Sequence, residues 1–251
     1  MYDKNILIIG ASGGIGSGFV SQLLPREDTG LLFATHRSFS VTPSNLSQLL
    51  QQFPEKLNLI PVDVTREEDI KNSVALIKTK VDKLHLVINC VGILHEEKLQ
   101  PEKSLKHINP QNLMRYFEVN TIPTVLWAKH LLPLFKHPER TVFAVLSAKV
   151  GSIEDNRLGG WYGYRASKAA LNMLVKNIAI EYNRVTQNTI VVALHPGTTN
   201  TRLSAPFQHS VPPEKLFSVE LCTKQLLSVI EKLTPSANGH FLSWDGSIIP
   251  W

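Results

Sequence analysis

The stretch VLSAKVGSIEDNRLGGWYGYRASK, residues 145 to 168, holds Ser147, Ser152, Tyr162, Tyr164 and Lys168 within a short reach. A phenol with a pKa near 10 is a poor proton donor or acceptor at neutral pH, and a nearby ammonium stabilises the phenolate and lowers that value. An α-helix turns once in 3.6 residues, so Tyr164 and Lys168, four apart in YRASKAALNMLVKNIAIE, share a face, whereas Tyr162 points elsewhere. The spacing therefore predicts acid-base chemistry at Tyr164 with Lys168 as its cation. The plain alternative is a solvated surface pair, since Tyr-x-x-x-Lys also arises by chance. Against it stands the small-residue face Ala166, Ala169 and Ala170.

A second stretch carries a different chemistry. The apolar run NILIIG leads into GASGGIGSG, where Gly10, Gly14 and Gly16 have the spacing G-x-x-x-G-x-G. A tight strand-to-helix turn needs residues without Cβ, and a pyrophosphate needs bare N–H groups at a helix N-terminus. The loop Gly10, Ser12, Gly14, Ile15 and Gly16 is thus a candidate dinucleotide cradle rather than a turn without ligand. At the end of the second apolar run, ATHRS, where dinucleotide folds meet the adenosine ribose, there is no acid. His36 and Arg37 offer positive charge instead, and an arginine fork suits a 2′-phosphate, which favours NADP(H) over NAD(H). The alternative for Arg37 is an ordinary surface arginine.

Such groups need a scaffold, and the apolar pattern supplies one. Strand-length runs at 5–10, 31–36, 57–62, 84–91, 141–147, 189–196 and 240–244 alternate with helix candidates at about 14–25, 43–53, 66–80, 110–135, 162–182 and 213–233. This is the pattern of βαβ units. It predicts an α/β fold: one doubly wound domain over residues 1–251, with a seven-stranded, mainly parallel sheet covered by helices on both faces. Ligands bind beyond the carboxyl ends of the strands in such sheets, where both stretches would lie.

Composition narrows the function. Hydrophobic residues make up 43% and charged residues 19%, as in soluble globular enzymes. No apolar run approaches the ~18–20 residues of a membrane span. The opening MYDKNILIIG lacks the marks of a secretory signal, so a cytoplasmic protein is expected. The net charge of +5 is spread along the chain without a basic patch, so no nucleic-acid partner is expected. Cys90 and Cys222 are expected as free thiols, and the nine histidines, His195 included, show no metal-ligand spacing.

Taken together, these residues resemble the short-chain dehydrogenase/reductase family, from the first strand to the C-terminus. The resemblance implies a Rossmann-type fold and a cofactor set of Gly10 to Gly16, Asp63 and Val64 in PVDVT, Asn89 to Gly92 in NCVG, and Pro196, Gly197, Thr199 and Thr201 in HPGTTNT, with Tyr164 and Lys168 also meeting the cofactor. It implies catalysis by Tyr164 and Lys168, with Asn120 in FEVN positioning the lysine. GSIEDNRLGGWYGYRASKAALNM and GHFLSWDGSIIPW look most like the C-factor and sniffer-type carbonyl reductase group. The activity implied is NADP(H)-dependent hydride transfer to or from a carbonyl or alcohol. A dinucleotide-binding regulator or cell–cell signalling protein of C-factor type, with little turnover, is the rival.

One position departs from the family pattern. Its fifth strand ends Ser-Ser-x-x-Gly, the second serine binding the substrate carbonyl, but here Ser147-Ala148-Lys149-Val150-Gly151 puts Ala148 in that slot. Ser147 should face the other side of the strand, and Ser152 lies beyond the glycine, so the replacement for the serine, if any, stays open. Family likeness makes TRLSAPFQHSVPP, with Leu203 and Phe207, a lid, and places Ile93, Leu94 and Trp161 near an apolar pocket for a small carbonyl substrate. It also implies a homodimer through the helices at 110–135 and 162–182.

Overall fold

Runs such as VFAV and VVAL have no polar face, so they are stable only where both sides of a sheet are covered. In a computed structural model that describes residues 3–37 and 44–251, they form interior strands of a seven-stranded sheet. Its strands are β1 Lys4–Ile9, β2 Thr29–His36, β3 Leu57–Pro61, β4 Leu86–Asn89, β5 Thr141–Leu146, β6 Thr189–His195 and β9 Phe241–Ser243. Their order is β3-β2-β1-β4-β5-β6-β9, and every pairing is parallel. The chain reverses direction across the sheet between β1 and β4. That switch point opens the crevice in which dinucleotide folds hold their ligand.

Helices α1 Gly14–Leu23, α2 Ser44–Gln52 and α7 Val219–Lys232 cover one face, where Phe19, Leu24, Leu226 and Ile230 meet Val142, Ala144 and Val192. Helices α3 Glu67–Lys78, α5 Ile122–Leu131 and α6 Tyr162–Val185 cover the other, where Trp127, Leu171 and Val175 meet Phe33, Phe143 and Val191. Each buried aromatic or branched side chain here contributes roughly 1.5–3 kcal/mol.

Two sequence expectations need correction. The helix expected over 110–135 divides into α4 Pro110–Asn120, α5 and a 3₁₀ turn Leu132–Phe135. Pro123 lacks the N–H that would bond back one turn, and Thr121 takes φ −119° and ψ −62° at the break. The helix expected from 213 begins at Val219, with the Ser218 hydroxyl capping Leu221 N. Ahead of it, β7 Thr198–Thr199 pairs in parallel with β8 Leu216–Phe217, a small sheet too short to show in the sequence pattern. Of the helix expected over 43–53, residue 43 lies outside the described residues.

Candidate active site

The turn after β1 is fixed by backbone sterics. Gly10 has φ +80°, and its N–H donates to Thr35 Oγ1 at the end of β2. A Cβ on Gly16 would stand 2.3 Å from Gly10 O, and one on Gly14 would stand 2.8 Å from Thr201 Cγ2, so neither position admits another residue without a shift. The N-cap of α1 is Gly13, which offers no side-chain bond, and the first turn holds no acid. Its first N–H groups therefore lack a partner within the helix, at the positive end of the helix dipole. Ser12 is exposed on the loop, and Ile15 packs onto the core below it.

Arg37 stands exposed at the end of β2, close enough to Asp63 for its charge to act on the carboxylate. Partial burial works against ionisation of Asp63, but hydrogen bonds from Thr65 and the charges of Arg115 and Arg37 hold it below the ordinary range. Val64 packs on the core beside it. At the end of β4, Asn89 donates to Thr124 Oγ1 at 2.9 Å and accepts from Val91 N at 3.0 Å. Beyond β6, Gly197 has φ +70°, and a Cβ there would lie 2.6 Å from the Phe217 ring. Thr199 Oγ1 donates to Pro196 O, and Thr201 abuts the glycine loop at Gly14.

Tyr164 and Lys168 lie in the first two turns of α6, 7% and 3% exposed. Gly92 touches both the lysine and the asparagine: a Cβ on it would be 3.3 Å from Lys168 Nζ and 3.5 Å from Asn120 Oδ1. Asn120 is clamped on Ile93, accepting from its N–H at 2.7 Å and donating to its carbonyl at 3.0 Å. Lys168 Nζ donates to Leu146 O at 3.0 Å and pairs with no carboxylate, and burial lowers its pKa to about 8. Burial pushes the Tyr164 phenol well above its ordinary range. The sequence argument expects the lysine to lower that value; in this structure desolvation dominates.

Both candidate serines are engaged in hydrogen bonds. Ser147 Oγ donates to Asn172 Oδ1 at 2.6 Å on the α6 side of the sheet. Ser152 Oγ donates to Trp251 O and accepts from Asp155 N. Both hydroxyls are committed elsewhere, while Ala148 packs with Ile93, Val150, Trp161, Leu203 and Phe207 around Tyr164. The wall around Tyr164 is thus apolar, and Ala148 presents a methyl group there. His195 accepts from Lys149 N through Nδ1, and burial, reinforced by the Lys149 charge, lowers its pKa to about 4, so it is neutral at physiological pH. A groove of about 600 Å³ between α7 and residues 240–248 shares no residue with this cluster.

The uncapped α1 N-terminus, the arginine in place of an acid and the unpaired buried lysine fit the phosphates and ribose of a dinucleotide. Sequence reasoning names most of this set, but it misses Glu102, Tyr116 and His95, which meet the site only through the fold. Tyr116 stands edge-on to Tyr164 at 6.2 Å and donates to Leu94 O, while His95 stands 5.9 Å from the Phe207 ring.

Known proteins resemble this chain in sequence and fold. A model of the short chain dehydrogenase family matches residues 4–211. The NADPH-bound carbonyl reductase from chicken fatty liver is 28% identical, covers 100% of both chains and superposes with a TM-score of 0.87. Carbonyl reductase Sniffer of D. melanogaster is 27% identical over 100% of both chains, with a TM-score of 0.86. C-signal of Myxococcus xanthus is 28% identical over 148 residues, which are 59% of this chain and 84% of that protein.

Proposed function

Because the chain belongs to the short chain dehydrogenase family of oxidoreductases, we propose that it is an NADP(H)-dependent reductase of small, apolar carbonyl compounds, with Tyr164 as its acid. The observation that carries this reading is the buried group Tyr164, Lys168 and Asn120, with the half-buried Gly92 against it, at the carboxyl ends of β4 and β5, beside the glycine loop. Gly10 to Gly16 and the α1 N-terminus would hold the pyrophosphate, Arg37 the 2′-phosphate, Asp63 and Val64 the adenine, and Asn89 to Gly92, Lys168 and Pro196 to Thr201 the nicotinamide side. When bound, the cofactor supplies a hydride to the carbonyl carbon.

The protein's own part is the proton. Burial keeps the Tyr164 phenol protonated at neutral pH, the state an acid needs for reduction, and its proton goes to the carbonyl oxygen. Lys168, with a pKa of about 8, is mostly charged at pH 7, so it favours the phenolate left behind. Asn120 holds Ile93 and thereby the loop that flanks Lys168. Exposed Met114 on α4, Ile122 at the start of α5 and Met173 on α6 suit a homodimer through these helices.

Ala148 and the likeness to C-signal favour a second reading, a dinucleotide-binding regulator with little turnover. Fluorescence titration with NADPH and NADH, followed by a panel of aldehydes and ketones, separates the two. The reductase reading expects NADPH to bind about tenfold tighter than NADH, a preference lost in Arg37→Ala, and expects turnover on the panel. Binding without turnover supports the regulator, and no binding of either dinucleotide refutes both.

A further inference from the structure

Three consecutive residues ahead of α6 take left-handed backbone: Gly159 at φ +64°, Gly160 at φ +66° and Trp161 at φ +51°. Trp161 is the only non-glycine residue with positive φ among the described residues. The left-handed region is disfavoured for a residue with Cβ, and more so for a bulky one. Trp161 also occupies the N-cap of α6, a position that favours Ser, Thr, Asp or Asn, and its side chain caps nothing. Glycine or asparagine would take this backbone with less strain, so the indole is retained for something other than the turn.

Strain of this kind persists only where the surroundings impose it. Glu102, 2% exposed, does so from outside the helix: its carbonyl accepts from Trp161 N at 2.5 Å and its Oε2 accepts from Gly163 N at 3.0 Å. Its other oxygen, Oε1, is buried without a hydrogen bond. Arg165 adds bonds to Gly160 O at 3.0 Å and Val150 O at 3.2 Å. Clamped in this way, the indole stands edge-on to Tyr164 at 6.2 Å and to Phe207 at 5.1 Å. It bridges the candidate acid and the 3₁₀ segment Ala205–Ser210.

We propose that Trp161, held in this conformation by Glu102 as a positioning residue, is the specificity-determining wall of the substrate site and selects carbonyl compounds that carry an aryl group next to the reacting carbon. The proposal rests on the reductase reading above. An aryl ring beside Tyr164 would meet indole and Phe207 edges, a contact that adds to simple area burial. Ala148 and Leu203 complete an apolar wall.

Acetophenone and cyclohexyl methyl ketone have the same carbon skeleton and differ in the π face, so the ratio of their kcat/KM values reads the wall. In Trp161→Ala the ratio is expected to fall about three- to tenfold, mainly through KM, with NADPH affinity retained. Trp161→Phe keeps most of it. Glu102→Ala lowers the ratio as Trp161→Ala does, and Glu102→Gln, which can still accept from Gly163 N, restores it. An equal fall for both ketones in Trp161→Ala, or no fall, overturns the proposal. If Glu102→Ala does not fold, the Trp161 variants decide alone. If the wild type reduces no carbonyl at all, the reductase reading fails separately. Saturation-transfer NMR of the two ketones on the NADP⁺-loaded protein then reads the wall, and equal binding by wild type and Trp161→Ala overturns it.

Discussion

The glycine loop after β1 and the Gly-Gly-Trp segment before α6 both hold unusual backbone, and they do so for opposite reasons. At Gly16 the side chain is given up because a Cβ would meet Gly10 O at 2.3 Å. At Trp161 the side chain is kept although φ +51° disfavours it. The first region serves backbone approach, to which any side chain is an obstacle. In the second a particular side chain is worth the strain, which costs of order 1–3 kcal/mol and is offset by the contacts of Glu102 and Arg165. A site can thus be rigid through what it omits or through what it clamps.

The loop half breaks most readily. Gly16→Ala is expected to cost roughly 2–4 kcal/mol of stability in urea unfolding, because the colliding atoms are backbone. Gly13→Ala, whose Cβ would sit at an ordinary 3.5 Å from Gly10 O, is expected to cost less than about 1 kcal/mol. Equal costs would remove the steric account of the loop. On the substrate half, Ala148→Ser returns a hydroxyl to the wall around Tyr164 and is expected to raise kcat about tenfold or more, as a regained carbonyl donor would. Ser147→Ala should leave kcat within about twofold while costing about 1 kcal/mol, since its hydroxyl serves Asn172. The reverse ranking would make Ser147 the group at the reacting carbonyl.

A smaller effect concerns pH. The folded pKa of Lys168, about 8, lies below its unfolded value, so the cost of burying its charge is fully present below pH 8 and is relieved as pH rises through that value. Wild type should therefore gain about 1–2 kcal/mol relative to Lys168→Met between pH 7 and 9.5. Above pH 10 Tyr164 acts the other way: its folded pKa is raised, so the unfolded chain loses its proton first and stability falls. A flat difference between wild type and Lys168→Met would show that the lysine is not desolvated.

This contrast also explains what could be read from the chain. Gly10 to Gly16, Asn89 to Gly92 and the Tyr164–Lys168 spacing are local features, in which neighbours in sequence impose the geometry, and all seven strands of the sheet are visible as apolar runs. Whether Ser147 or Ser152 replaces the absent serine was not legible, because Asn172 and Trp251, their partners, are set by helix packing and the path of the C-terminus. Glu102 gave no signal, lying 61 residues before the Gly163 N–H it caps. Two glycines ahead of a tryptophan were the one trace of the clamp.

The central claim is proton donation by Tyr164 in a site whose family serine position is an alanine. Single-turnover oxidation of bound NADPH by a reducible carbonyl, compared between wild type and Tyr164→Phe, tests it most directly. The account expects the rate to fall by about 10²–10⁴-fold while the NADPH Kd changes less than about threefold. A Tyr164→Phe rate within about tenfold of wild type would contradict it and place the acid elsewhere in the site.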